Sequence, residues 1–280
     1  MTVLFALLGA ASYGLADFVG GVVSKRVSAW SVALAALAGG SVATLVTGLV
    51  VGGDPTRGDL GWAVLGGLAN GLGTAFLYRG LASGRMGVVA PVSGVGAAVL
   101  PVAVGVTLGE RPDPLVWLGI ALALPAIWLV AREPPAQEAG PGPGGGSGFT
   151  DGVVAGVGFG TLFVALSRMS EEAGILPLAL NQAVAGGTVI VVASLLRAPW
   201  LPRDPRAAWG VAAGLLGATA TVLFTVASQG GNLTVAAVVI SLYPAFTVLL
   251  AALVVRERIH SGQAVGLGLC AVAVVLVAAG

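Results

Sequence analysis

Long apolar runs separated by short polar connections divide this chain into ten stretches able to cross a bilayer. They fall at residues 3–23, 29–52, 60–78, 86–108, 115–131, 151–167, 175–196, 207–228, 233–255 and 261–279. The first run offers small residues between Ala6 and Ser12 but has no basic leader and is followed by nine more spans, so a retained helix is expected instead of a secretory signal. Between the fifth and sixth runs, Arg132 to Gly148 is rich in proline and glycine and carries two glutamates. Such a segment cannot bury enough apolar area to order itself and reads as a linker. The pattern predicts an all-α integral membrane protein of ten transmembrane helices.

The chain also repeats itself. Gly39-Gly40 recurs as Gly186-Gly187, Trp62 as Trp209, Gly67-Leu68 as Gly214-Leu215, Thr74 as Thr221, Glu110-Arg111 as Glu257-Arg258 and Gly119 as Gly266, always 147 residues on. This register predicts a first five-helix repeat over 1–131, a linker over 132–149 and a second five-helix repeat over 150–280. Five is odd, so the second copy must enter the bilayer upside down relative to the first, the inverted-repeat arrangement of secondary transporters.

Composition narrows the possibilities. Hydrophobic residues make up 57% of the chain and charged residues 9%, with a mean hydropathy of +0.99, whereas a soluble domain carries roughly 25% charged residues. Ten spans leave little chain for a soluble module. A net charge of +1, with 13 basic residues dispersed over the connections, gives no footprint for nucleic acid. The single cysteine, Cys270, lies in the last apolar run and reads as packing, so neither an internal disulfide nor a cysteine metal cluster can form. No phosphate loop accompanies the only lysine, Lys25. His260 has no partner acid, serine or cysteine at a recognisable spacing, and Glu110 and Glu257 fall at span edges on opposite membrane faces, as helix-end anchors. No catalytic residue, metal or cofactor is expected; the expected partners are a small-molecule solute and the lipid bilayer.

The 45 glycines read mainly as close helix packing, which lipid does not otherwise drive. Pro91, Gly94, Gly96 and Pro101 in the fourth span, and Pro244 after Tyr243 in the ninth, are the candidate breaks, with simple packing kinks as the alternative. Trp30, Trp62, Trp117 and Trp209 fall near span starts and read as interfacial anchors.

One charge lies inside a span. Asp17 sits near the middle of the first, where an ionised aspartate costs roughly 2.5–3.5 kcal/mol on insertion scales, so it should be neutral, paired or facing water. It is the candidate proton-coupling or substrate residue. The structural alternative is a protonated acid bonded across helices, or one reaching Lys25 and Arg26. The sixth span holds no matching acid. Candidate cavity residues are Asn70, Thr74, Tyr78, Pro91, Ser93, Gly94, Thr221, Thr225, Ser241, Tyr243 and Pro244, from the third, fourth, eighth and ninth spans. Asn181, Gln182 and Gln229 could contact a solute or cross-link helices.

With these residues in place the chain resembles the drug/metabolite transporter superfamily in its ten-span EamA-type branch: two five-helix repeats, each with an acidic-basic pair after the fourth helix and a glycine-bearing fifth. Tyr243-Pro244 followed by Glu257 resembles the family's spacing, while the first repeat departs from it, with alanine at the position equivalent to Pro244. The first repeat also resembles the small multidrug resistance proteins, in which Ala16-Asp17-Phe18-Val19-Gly20 would carry the membrane-embedded acid that exchanges protons for drug, there a glutamate, and Ser93-Gly94-Val95-Gly96 part of the third helix. These resemblances imply a secondary-active transporter in the cell membrane, exporting or exchanging a metabolite or drug, possible proton coupling resting on Asp17. An uncoupled facilitator or exchanger is the alternative, and a non-transporting scaffold or intramembrane enzyme the alternative of another class. Ten of the thirteen basic residues fall on the connections that the positive-inside rule would place in the cytoplasm, with both termini outside; the resemblance implies cytoplasmic termini. Either way the termini share a side.

Overall fold

The computed structural model describes residues 1–24, 26–82, 86–131, 148–229, 232–256 and 258–280, with side chains at all of these except 78, 80–82, 86–88, 90, 91 and 148. Residues 132–147 of the expected linker, Lys25, Arg85 and Glu257 lie outside the described residues, as do the side chains of Tyr78 and Pro91, and the last two positions expected in the linker, 148 and 149, begin a helix. The first half consists of α1 (Thr2–Ser24), α2 (Ala29–Val51), α3 (Arg57–Ala82), α4 (Met86–Thr107) and α5 (Pro114–Ala131). The second consists of α6 (Gly148–Ser167), α7 (Leu176–Leu195), α8 (Gly210–Gln229), α9 (Leu233–Ile240), α10 (Tyr243–Leu250) and α11 (Ser261–Ala279). Among the described residues, nine helical stretches are long and apolar enough to cross a membrane, α9 and α10 counting as one, and the fourth span adds the apolar helix Val92–Thr107.

Two of the proline expectations part ways. The fourth span is one unbroken helix from Met86 to Thr107 in spite of Pro91 and Pro101, just as Pro125 sits inside α5 without ending it; membrane helices tolerate proline because neighbouring helices and hydroxyl side chains can re-satisfy the backbone group it frees. The ninth span does break. Its chain turns at Ser241 and Leu242, Pro244 takes a first-turn position of α10 where no backbone donor is needed, and α10 ends in a π-helical turn over Ala251–Val255.

The helix pairing obeys the repeat. α1 packs on α8 and α6 on α3; α4 packs on α6 while α1 packs on α9 and α10; α3 meets α7 and α2 meets α8; α2 pairs with α7 and α5 with α11. Exchanging the halves returns the same set of contacts. The relation extends to single residues. A Cβ placed on Gly119 would stand 2.6 Å from Val277, and one placed on Gly266 would stand 2.8 Å from Val130. Val130 and Val277 are themselves 147 residues apart, so the α5–α11 seam is built twice from one pair of contacts. With an odd number of crossings per half, equivalent helices run in opposite senses through the bilayer.

Polar contacts fix α3 against α6 at both ends. At one end the Asp59 carboxylate accepts from the backbone N–H of Thr56 (2.9 Å) and of Ser170 (2.7 Å) and from both hydroxyls, at 2.6 and 3.2 Å. At the other, Arg79 pairs with Asp151, its Nε donating at 3.1 Å, and its guanidinium lies 4.2 Å from the centre of the Phe76 ring. Glu110, expected as a helix-end anchor, anchors a helix of the opposite half: its two carboxylate oxygens accept from the N–H groups of Leu233 (2.8 Å) and Thr234 (3.0 Å) at the start of α9. A carboxylate here meets both the unpaired donors and the positive end of the helix dipole. Of the tryptophans expected as interfacial anchors, Trp30 is 7% exposed and packs against protein in a core cluster around Leu37, Ala185 and Val189, whereas Trp117 and Trp209 are exposed.

Candidate functional site: a membrane-embedded cavity

Between the halves lies a partly open cavity of about 150 Å³. Tyr13, Ala16 and Asp17 of α1, Asn70, Thr74 and Leu77 of α3, Ala97 of α4, Phe159, Leu162 and Phe163 of α6, Gly214, Gly217 and Thr221 of α8 and Tyr243 of α10 line it. Two helices that hydropathy did not single out also contribute. α2 supplies Ala33, Ala36 and Leu37, and α7 supplies Gln182.

α8 can reach the cavity beside α2 because Gly214 has no side chain. A Cβ there would collide with the carbonyl of Ala36, so the two backbones touch, closer than larger residues would permit.

Asp17 is the one charged residue among the described residues that line the cavity. Its side chain is exposed, although it lies near the middle of a 23-residue membrane helix. Among the described residues no hydrogen bond or ion pair reaches its carboxylate. Of the structural alternatives, neither the cross-helix bond nor the reach to Arg26 is formed among the described residues, and Lys25 lies outside them. The rest of the wall is aromatic and hydroxylic: the hydroxyls of Tyr13 and Thr221 are 2.9 Å apart, Tyr13 stands edge-on to Tyr243 with ring centres 6.2 Å apart, and Phe163 packs on Phe224 at 4.5 Å. Thr221 donates its own proton to the Gly217 carbonyl (2.9 Å), which leaves Tyr13 as the donor in their shared bond. Thr74, the counterpart of Thr221 in the first repeat, donates to Asn70 at 3.4 Å.

Of the sequence candidates, Asp17, Asn70, Thr74, Thr221 and Tyr243 come together around this cavity. Ser93, Gly94, Thr225, Ser241 and Pro244 do not line it. Thr225 is buried and donates to the Thr221 carbonyl at 2.9 Å; Ser93 and Ser241 are fully buried with hydroxyls that have no partner among the described residues; a Cβ on Gly94 would meet Ile127. Tyr13 was not singled out in the sequence. Its signal was available, since it stands one helical turn before Asp17 and so shares a face with it.

Two sets of crossing helices around a cavity at membrane depth define a multi-pass membrane protein of the transporter type. The model of the EamA-like transporter family matches residues 1–132 and again 147–279, and the chain belongs to this family of membrane transporters. No curated protein matches it in sequence. Sixteen chains of solved structure match it. One, described simply as the crystal structure of a protein, shares the fold with a TM-score of 0.70 at 18% sequence identity, the match covering 98% of this chain and 94% of the other.

Proposed function

We propose that this transporter is secondary-active, exporting or exchanging a small organic solute that carries a positive charge, and that Asp17 couples the movement to protons. The observation that carries this reading is a carboxylate that is alone and unpaired among the described residues, in a cavity otherwise lined by aromatic, hydroxyl, amide and small apolar groups. An ionised acid in such surroundings lacks a counter-ion and is offset by one of two partners, a bound proton or a cationic solute. Binding of one displaces the other, and that competition is the coupling. Rocking of one inverted repeat (1–131) against the other (150–280) would then present the occupied site to either side.

The test uses proteoliposomes with a pH-sensitive dye trapped inside and a panel of quaternary ammonium solutes, which carry no proton through lipid on their own. Solutes of the panel should shift the internal pH through the wild type and not through Asp17→Asn. Solute uptake with equal pH behaviour in both proteins would remove Asp17 from the coupling and favour an uncoupled exchanger.

A further inference from the structure

Two neighbouring carboxamides on α7 have different surroundings. Asn181 is fully buried away from the cavity lining, and its Nδ2 donates to the Ala63 carbonyl at 3.2 Å, so it ties α7 to α3; its Oδ1 has no partner among the described residues. Gln182 turns to the other side and lines the same cavity as Asp17, with 5% of the residue exposed. Neither end of its amide has a hydrogen bond to any described residue, and its Oε1 is sealed off without a partner. A Cβ on Gly40 would stand 3.3 Å from its Nε2 and 3.2 Å from the Gly214 carbonyl, so the absence of side chains where α2 meets α8 leaves room for this amide.

A primary amide has two donor protons and an acceptor oxygen, and a buried one with none of them used disfavours the empty state of the protein. Because both ends are free, the conclusion does not depend on which way the amide is turned. A solute that supplies partners removes the penalty.

We infer that Gln182 is a specificity-determining residue that recognises a neutral group on the solute with a hydrogen-bond donor and an acceptor on one carbon, such as a carboxamide or lactam. Oε1 is enclosed in the empty state, so the side chain turns on binding to bring Oε1 and Nε2 together against that group. A carboxylate could accept from Nε2 but would leave Oε1 unpaired and bring a second anion into the cavity of Asp17. An alkyl end would leave both atoms unpaired. The cationic end of such a solute rests on the reading of Asp17 given above, whereas the amide end rests on Gln182 alone.

The experiment is titration calorimetry on the full chain in lipid nanodiscs. The probes are ω-ammonio carboxamides with chains of about two to six methylenes, alkylammonium ions and ω-amino acids of matched length, and uncharged hexanamide. The best-fitting carboxamide should bind the wild type about tenfold more tightly than its alkylammonium match, equivalent to about 1.4 kcal/mol, and the amino acid should gain nothing. In Gln182→Met, which keeps the length and loses the hydrogen bonds, the carboxamide and alkylammonium affinities should converge, with Gln182→Leu as a second, independent variant. Equal affinities in the wild type, a preference that survives both substitutions, or no binding of any probe would each overturn the inference. Failure of the Asp17 reading has a separate signature: alkylammonium ions would bind Asp17→Asn as well as the wild type, while weaker hexanamide binding by Gln182→Met would still uphold the role of Gln182.

Discussion

The hydroxyl of Tyr13 donates to the hydroxyl of Thr221 across 2.9 Å, joining α1 of one repeat to α8 of the other at the wall of the cavity. The bond lies part-buried beside the lone carboxylate of the cavity, so its two partners should be energetically coupled. Tyr13→Phe and Thr221→Val should each destabilise the protein by about 1 kcal/mol, and the double variant should lose clearly less than the sum. Thermal unfolding of the four proteins in detergent measures this, and additive losses would show that the hydroxyls act independently.

Gly214 and Gly217 lie one turn apart on α8, yet only the first faces a backbone. Gly214→Ala should force α2 and α8 apart at the Ala36 carbonyl and cost about 1–3 kcal/mol, seen as lost monodispersity on size exclusion. Nothing lies within 4 Å of a Cβ at Gly217, and Gly217→Ala should be neutral or mildly stabilising, since alanine is the better helix former.

Glu110 holds the start of α9, an eight-residue helix whose N-cap Asn232 accepts from Val235 at 3.0 Å and leaves the first two donors, Leu233 and Thr234, to the carboxylate. Glu110→Ala would strand two part-buried N–H groups and should cost about 2–3 kcal/mol, with Glu110→Gln keeping part of the stability through its remaining acceptor. Hydrogen exchange at Leu233 and Thr234 should quicken in the order wild type, Gln, Ala. An unchanged rate in Glu110→Ala would mean that the cap is not what orders this helix.

The Arg79–Asp151 pair joins a buried acid to a guanidinium whose side chain is 36% exposed, so solvent screens part of the attraction. Asp151→Asn should therefore cost about 1 kcal/mol, well short of the loss for a fully buried pair. The exchange Arg79→Asp with Asp151→Arg should restore part of that loss in thermal unfolding.

Hydropathy located the spans to within a few residues: the first apolar run, 3–23, became α1 over Thr2–Ser24, and the last, 261–279, became α11 over Ser261–Ala279. The repeat went further, because matched residues such as Gly119 and Gly266 make matched contacts. The cavity was harder to see. Ala33 and Ala36 look the same to a hydropathy count whether they face lipid, a neighbouring helix or a chamber, so α2 gave no sign of its place in the wall. Gln182 and Asn181 are chemically alike and adjacent, and only the helix rotation separates the one that faces the cavity from the one that ties helices together. Glu110 was legible as a helix-end residue, but its partners stand 123 and 124 positions further along the chain. Proline was an ambiguous signal for the same reason that membrane helices tolerate it: Pro101 and Pro125 sit inside continuous helices, whereas Pro244 follows a break.

The carboxylate in the cavity has no twin. Shifted by 147 residues, Asp17 falls on Val164, a partly buried apolar residue of α6. The helix pairing is therefore nearly unchanged when the two halves are exchanged, while the chemistry is not: the acid always belongs to the same repeat. Vesicles holding the protein in both insertions would contain two kinetically distinct populations facing any imposed gradient, and a one-sided inhibitor would silence one of them alone.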